Sequence, residues 1–304
     1  MRLAAPVRVQ VPAKVNLHLG VGALREDGYH DLVNLFQAVD LYDRILARPG
    51  SGISLEHSGE GEGEVPLDAA NLAWRAAELL AEHVNLPTDV HLEIDKQIPV
   101  AGGMAGGSAD AAAALLACAT LWNTRISKAE LAELAASLGA DVPFALLGGT
   151  ALGLGKGEQL TPVLSTAALH WVFATQDFGI SAGAAYRELD RLREEGVACE
   201  PAGSVDELLD ALRAGDAVRV GAALANDLQP ACFSLAPELE RTIEAGLDRG
   251  ALGAIVSGSG PTCAFLVSGP DAAEEMASAL IRGGVCRDAR IADGPVHGAR
   301  IVGA

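Results

Sequence analysis

Residues 99–116 read PVAGGMAGGSADAAAALL, four glycines within six positions followed by an alanine run. Alanine is the best helix former and glycine among the worst. The junction therefore pins a helix start near Gly107 and sends the preceding backbone along a path without Cβ atoms. Two readings fit. One is a loose surface loop that happens to precede a helix. The other is a loop whose backbone must approach something negatively charged.

The rest of the chain fits around that junction. Residues 7–21 alternate as strands broken near Pro12, and 32–46 read as a further strand pair. The acidic, turn-rich stretch 50–65 reads as an exposed hairpin or loop. A helix spans Asn71 to Val84 with Asn71 as N-cap, and a half-buried strand covers 89–98. Ser127 and Glu130 form a capping box for a helix that stops at Gly139. Short strands follow Gly148–Gly149. The character changes after about Thr161: a strand at 169–175, helices near 182–194, 204–213, 216–225 and 236–249, then a strand–turn–strand at 252–269. A helix at 271–282 and one or two strands close the chain. Strands and helices mix without a regular βαβ rhythm, which predicts α+β in both halves. The expected boundary lies near 160.

The chain has 304 residues, half of them hydrophobic, enough for two domains with their own cores. Aromatics make up only 4%, so Val, Leu, Ile and Ala must build those cores. Forty acids against 22 bases give a net charge of −18, which argues against a broad contact with nucleic acid or an anionic membrane. Any anion must be held by a local device. The acidity itself is read as a solvated surface or as a habit of the source organism. No apolar run reaches the ~18 residues of a membrane span and no leader pattern is visible, so a cytoplasmic protein is expected. Cys118, Cys199, Cys232, Cys263 and Cys286 are scattered and unpaired in spacing, so neither a disulfide framework nor a metal site is expected.

A glycine loop entering a helix exposes unpaired N–H groups at the positive end of the helix dipole, which suits a phosphate. Ser108 adds a hydroxyl for a phosphate oxygen or a metal ion. The loop lacks the lysine of a Walker A motif, and its glycines do not follow G-x-G-x-x-G. Three more stretches bear on the question: PAKVNLHL at 12–19, with a lysine in an apolar strand; LGADVPFALLGG at 138–149, with Asp141 at a helix end; and VSGSGPT at 256–262, a turn of small residues. Each has an ordinary explanation taken alone: an edge charge, a helix cap, a hairpin turn.

Together these stretches occur in the order of the galactokinase–homoserine kinase–mevalonate kinase–phosphomevalonate kinase superfamily, which the chain resembles over nearly its whole length. The segment PAKVNLHLGVGALREDGYHDL at 12–32 with GADVPF at 139–144 resembles, more narrowly, the branch acting on 4-diphosphocytidyl-2-C-methyl-D-erythritol in non-mevalonate isoprenoid synthesis. The resemblance implies an N-terminal ribosomal-S5-like domain (1–160) with the ATP loop. A C-terminal ferredoxin-like domain (161–304) would close over substrate, with the active site in the cleft between them. It implies ATP on Pro99, Val100, Ala101, Gly102, Gly103, Met104, Ala105, Gly106, Gly107, Ser108 and Ala109, with the phosphates at the helix start. Asp141 matches the family's base and Lys14 its catalytic lysine. Asn16, Tyr29, His30, Phe36 and Tyr186, with Ser257, Gly258, Ser259 and Gly260, match substrate contacts. Tyr29 would stack on the pyrimidine and His30 bond its polar edge. Phe36 reads equally as a core aromatic and Tyr186 as a helix-face one. Magnesium is implied by ATP, with Ser108 the one candidate ligand.

Ala101, Ala105 and Ala109 stand where the family favours glycine or serine. Alanine tolerates helical φ, so the anion site is expected to survive with fewer hydroxyl contacts. His57, His83, His91, His170 and His297 have no partner motif and read as solvated or structural. Two other readings stay open: a kinase for another small alcohol, such as homoserine or mevalonate, and a non-catalytic sensor of ATP or metabolite. The segment Asp27–His30 speaks against the first, and the presence of both Lys14 and Asp141 against the second.

Overall fold

A computed structural model describes residues 5–166, 168–197 and 203–303; Cys199 lies outside them. The chain opens with two long antiparallel strands, β1 (Val7–Leu24) and β2 (His30–Pro49). The expected break at Pro12 is instead a register shift between Pro12 and Ala13, so β1 continues past a residue that cannot donate to a regular ladder. The expected strand pair at 32–46 is the single strand β2, which pairs β1 along its length and two further strands on its other edge. β3 (Ile53–Gly59) lies inside the stretch read as an exposed hairpin or loop. Ile53 and Leu55 turn inward and the strand runs parallel to β4 (Val90–Lys96), while the turns begin at Glu60.

Between them, α1 (Leu72–His83) starts where Asn71 accepts from the Ala73 amide. After β4 come the glycine loop and α2 (Gly106–Leu121). Twelve of the sixteen residues of α2 are buried, because it runs between β1–β2 and α1. The alanine run follows from that position, since only small side chains let a helix be packed on all sides. α3 (Lys128–Leu138) has the capping box of Ser127 and Glu130. α4 (Val142–Leu147), β5 (Thr150–Leu154) and β6 (Gln159–Pro162) return the chain to β2.

β7 (Leu169–Thr175), α5 (Ala182–Glu194), α6 (Asp206–Ala214), α7 (Ala217–Ala222), β8 (Ala225–Asn226), α8 (Gln229–Leu235) and α9 (Glu238–Leu247) follow. The two-residue β8 and the short α8 are too brief to leave a periodic signal. β9 (Gly253–Val256), β10 (Cys263–Val267), α10 (Pro270–Arg282), β11 (Asp288–Gly294) and β12 (Arg300–Val302) complete the chain. The second sheet is ordered β11-β7-β10-β9, all antiparallel. Numbered from β7, that is 4-1-3-2 with a helical layer, the ferredoxin-like arrangement. β8 and β12 leave this unit and join the first sheet, both on β1. One hydrophobic cluster is continuous from Val9 and Ala112 in the first unit to Trp171 and Leu266 in the second, and the Trp171 indole donates to Gln37 Oε1 at 3.0 Å. The two-domain α+β expectation holds.

Candidate active site

The glycine loop leaves β4 at Lys96 and enters α2 at Gly106. Three of its residues have left-handed φ: Ala101 (52°), Gly103 (73°) and Ala105 (59°). This corrects one expectation. Ala101 and Ala105 do not sit at helical φ; they hold a conformation that costs a residue with a Cβ roughly 1–2 kcal/mol. Ala109 alone is ordinary helix. Ala105 is the N-cap of α2 and supplies no side-chain acceptor, so the first-turn amides of Gly106, Gly107 and Ser108 have no cap. All three residues border a cleft of about 1410 Å³. That exceeds the usual site for one small molecule and suits two ligands end to end.

The other motifs meet this loop. The Lys14 amide donates to Met104 O at 3.3 Å, so β1 carries the loop along its flank. The Ser257 hydroxyl donates to Gly103 O at 3.1 Å. A Cβ on Gly103 would lie 2.0 Å from Ser257 O, and one on Gly258 would lie 3.2 Å from both Gly103 O and Lys14 Nζ. Gly103 has no room for a Cβ, and Gly258 is tight and at a left-handed φ of 57°, because the loop, the 256–262 turn and the Lys14 side chain meet here.

Lys14 is buried and donates to Asn16 Oδ1 at 2.6 Å, and Asn16 Nδ2 donates to Asn34 Oδ1 at 3.0 Å. Burial pushes the Lys14 ammonium below its ordinary pKa, while the charge of Asp141 opposes the shift. Asp141 precedes α4 as its N-cap residue, yet its side chain caps nothing. The carboxylate is half-buried, lines the cleft and makes no ion pair with Lys14 among the described residues. Both side chains therefore border the same cleft without being joined to each other.

At the other end, Tyr29 is exposed and carries the Lys156 ammonium 3.5 Å from its ring centroid. His30 is buried and stacks on Tyr186, centroids 5.4 Å apart. Its Nδ1 lies 2.9 Å from Gly22 O and its Nε2 3.4 Å from Asp190. Protein groups thus already meet both ring nitrogens, and only the Asp190 contact is loose enough to exchange. Burial pushes the Tyr186 hydroxyl up to about 12, with Asp141 adding to the shift. Phe36 packs on Phe144 at 5.0 Å as a core aromatic and shows the cleft one wall of its ring.

Pro99, Ala101, Gly102, Gly103, Ala105, Gly106, Gly107 and Ser108 line the cleft with Lys14, Asn16, Tyr29, His30, Phe36, Asp141, Tyr186, Gly258 and Ser259. Met104, Ala109 and Ser257 face the interior behind it. Val100 points to solvent, and Gly260 packs toward Val256 and Cys232. Sequence reading missed Asn34, Lys156, Glu158, Arg187 and Asp190, all in the wall. Lys156 alone had a signal, a lysine between two glycines in GKGE. None of the five histidines set aside above lines the cleft. His91 contacts Ser54, and His170 contacts Asp293. Among the described residues no group of three or more metal-ligating side chains exists. A magnesium ion here would rest on Ser108, phosphate oxygens and water, a donor set that suits it.

The family described as GHMP kinases N terminal domain matches residues 71–149, and GHMP kinases C terminal matches residues 208–286. The chain belongs to the GHMP kinase family, whose members are ATP-dependent phosphotransferases. It is 55% identical over 299 residues to the 4-diphosphocytidyl-2-C-methyl-D-erythritol kinase of Salinispora tropica, covering 98% of this chain and 95% of that one. The kinase of the same name from Streptomyces avermitilis is 55% identical over 296 residues, 97% of this chain and 99% of the relative. A crystal structure of a 4-(cytidine 5'-diphospho)-2C-methyl-D-erythritol kinase superposes with TM-score 0.76 at 35% identity, covering 96% and 98% of the two chains. A homoserine kinase from Cytophaga hutchinsonii gives the same TM-score at 21% identity, covering 99% of each chain, a likeness of fold alone.

Proposed function

We propose that the chain transfers the γ-phosphoryl group of ATP to the 2-hydroxyl of 4-diphosphocytidyl-2-C-methyl-D-erythritol. The observation that carries this reading is one cleft holding an uncapped helix start at one end and an aromatic wall at the other. Lys14 and Asp141 line the same cleft. Full-length identity to kinases of that name supports it.

ATP lies along 99–109 with its phosphates on the first-turn amides of α2. Ser108 would hold a magnesium ion together with the phosphates, and the ion would supply charge neutralisation. The acceptor's pyrimidine stacks on Tyr29, with Tyr186 a further aromatic contact and His30 and Asn16 orienting the molecule. Its hydroxyl lies beside Lys14 and Asp141. Asp141 takes the proton late, when the oxygen is already bonding to phosphorus, so a carboxylate is basic enough. The Lys14 ammonium stabilises the charge moving onto the transferred group. The two units divide near residue 160, the first holding ATP and the second closing on the acceptor. No helix among the described residues is long and apolar enough to cross a membrane, and we read the protein as cytoplasmic with small-molecule partners.

A coupled ADP-release assay tests this with the cytidylyl methylerythritol, homoserine, mevalonate and galactose. Turnover of the first alone is expected. Turnover of another without it overturns the acceptor assignment, and ATP binding without any turnover leaves the sensor reading in its place.

A further inference from the structure

Beneath the glycine loop lies a charge cluster that the phosphoryl transfer does not touch. The Lys96 ammonium, 3% exposed, donates to Asp43 Oδ2 at 2.6 Å and to Asp110 Oδ2 at 2.7 Å. Asp43 comes from the middle of β2, Lys96 is the last residue of β4, and Asp110 lies in the second turn of α2. The other oxygen of Asp43 accepts the amides of Gln97 and Ile98 at 2.6 and 2.8 Å. Those are the first two residues of the loop. Asp43 thus grips the loop where it leaves the sheet, Asp110 grips the helix it enters, and one ammonium joins the two. The grip is close: a Cβ on Gly106 would lie 3.0 Å from Lys96 Nζ.

Stability alone does not account for the cluster. The second oxygen of Asp110 is buried without a partner, so a desolvated carboxylate is only half satisfied. Apolar side chains of similar volume often replace buried ion pairs with no loss of stability. What they cannot do is set a distance between three named elements. The loop between the two grips needs such a constraint, because Ala101 and Ala105 hold left-handed φ that a free loop would relax.

We propose that the Asp43–Lys96–Asp110 bridge is a positioning device: it fixes both ends of the 97–105 loop and so aims the uncapped first-turn amides of α2 at the phosphates of ATP. This rests on the reading of that helix start as the ATP site. A tethered helix start is pre-organised, so the binding free energy is not spent on ordering the loop. The acceptor, bound at the far end of the cleft, touches none of the three residues.

Asp110→Ala tests it, because that variant frees α2 and leaves the Asp43–Lys96 pair intact and neutral. The KM for ATP and the Kd of a non-hydrolysable ATP analogue by calorimetry are expected to rise about tenfold or more, the scale of one lost charge-assisted hydrogen bond. The acceptor KM and kcat stay within about twofold of wild type, since neither depends on the tether. Asp110→Asn keeps an oxygen for Lys96 and should recover most of the ATP affinity. The Lys96 ammonium can donate to the amide oxygen of that variant as it does to Asp110 Oδ2. Unchanged ATP affinity in a folded Ala variant overturns the proposal. So does an equal loss in both substrates, or an Asn variant no better than Ala. Asp110→Ser, polar but too short to reach Lys96, repeats the test should Ala not fold; failure of both to fold assigns the cluster to stability and also overturns it. A wild-type protein that binds no ATP would instead sink the reading of the helix start.

Discussion

Lys14 carries its charge at a cost, since burial lowers its pKa and Asp141 only partly restores it. Below that lowered value the ammonium is present; above it the group is neutral and cannot stabilise a moving phosphoryl group. Turnover should therefore fall on the alkaline side at a pH below the ~10.4 of a free lysine, read from kcat against pH at saturating substrates. Asp141→Asn should retain fold and nucleotide binding while kcat falls by roughly 10²–10⁴-fold. Near-normal kcat in that variant removes Asp141 from the base role. Burial pushes Cys118 and Cys232 up to about 12 and Cys286 to about 11. All three should resist alkylation at neutral pH in the folded enzyme and react once it is denatured, as peptide mass spectrometry would show.

At the scale of elements, α1, α2 and α3 were legible because their starts are written locally. Asn71 reaches an amide two residues on, and Ser127 with Glu130 satisfy each other across one turn. β2 and β3 were not. A strand's length is decided by the neighbours that accept and donate along it, and β2 has β1 on one side and β4 and β5 on the other. The loop before α2 stands between these cases. Its glycines announce a tight path, but which of them is indispensable depends on Ser257, far along the chain. Gly103→Ala places a Cβ 2.0 Å from the Ser257 carbonyl at a φ of 73°. It should lower the melting temperature and weaken ATP binding together. Gly107→Ala, with only the tip of Leu72 near its Cβ, should cost far less stability.

Over the whole molecule, the two sheets share one continuous apolar cluster, and β12 carries the chain's end back to β1. Thermal or urea unfolding should show one cooperative transition by both tryptophan fluorescence and far-UV dichroism; two separated transitions would contradict the shared core. Gln37→Leu strands the buried Trp171 indole N–H and should destabilise by about 1–3 kcal/mol in urea titrations. The domain boundary drawn near 160 could not have anticipated this exchange of strands. β8 and β12 are two and three residues long, and so short a strand exists only because β1 offers it an edge.

The amino-acid sequence by itself determined the helix start behind the glycine loop, the α+β class and the residue types of the chemistry. Each rests on neighbours within a few positions or on a motif whose order survives in the chain. Only the tertiary structure decided that Lys14 and Asp141 line one cleft, that Gly103 and Gly258 are contact glycines, and that Asp43, Lys96 and Asp110 meet under the loop. Those facts depend on where β1, β2, β4 and α2 cross, and burial at the crossing brings three charged residues into contact and lowers the pKa of Lys14.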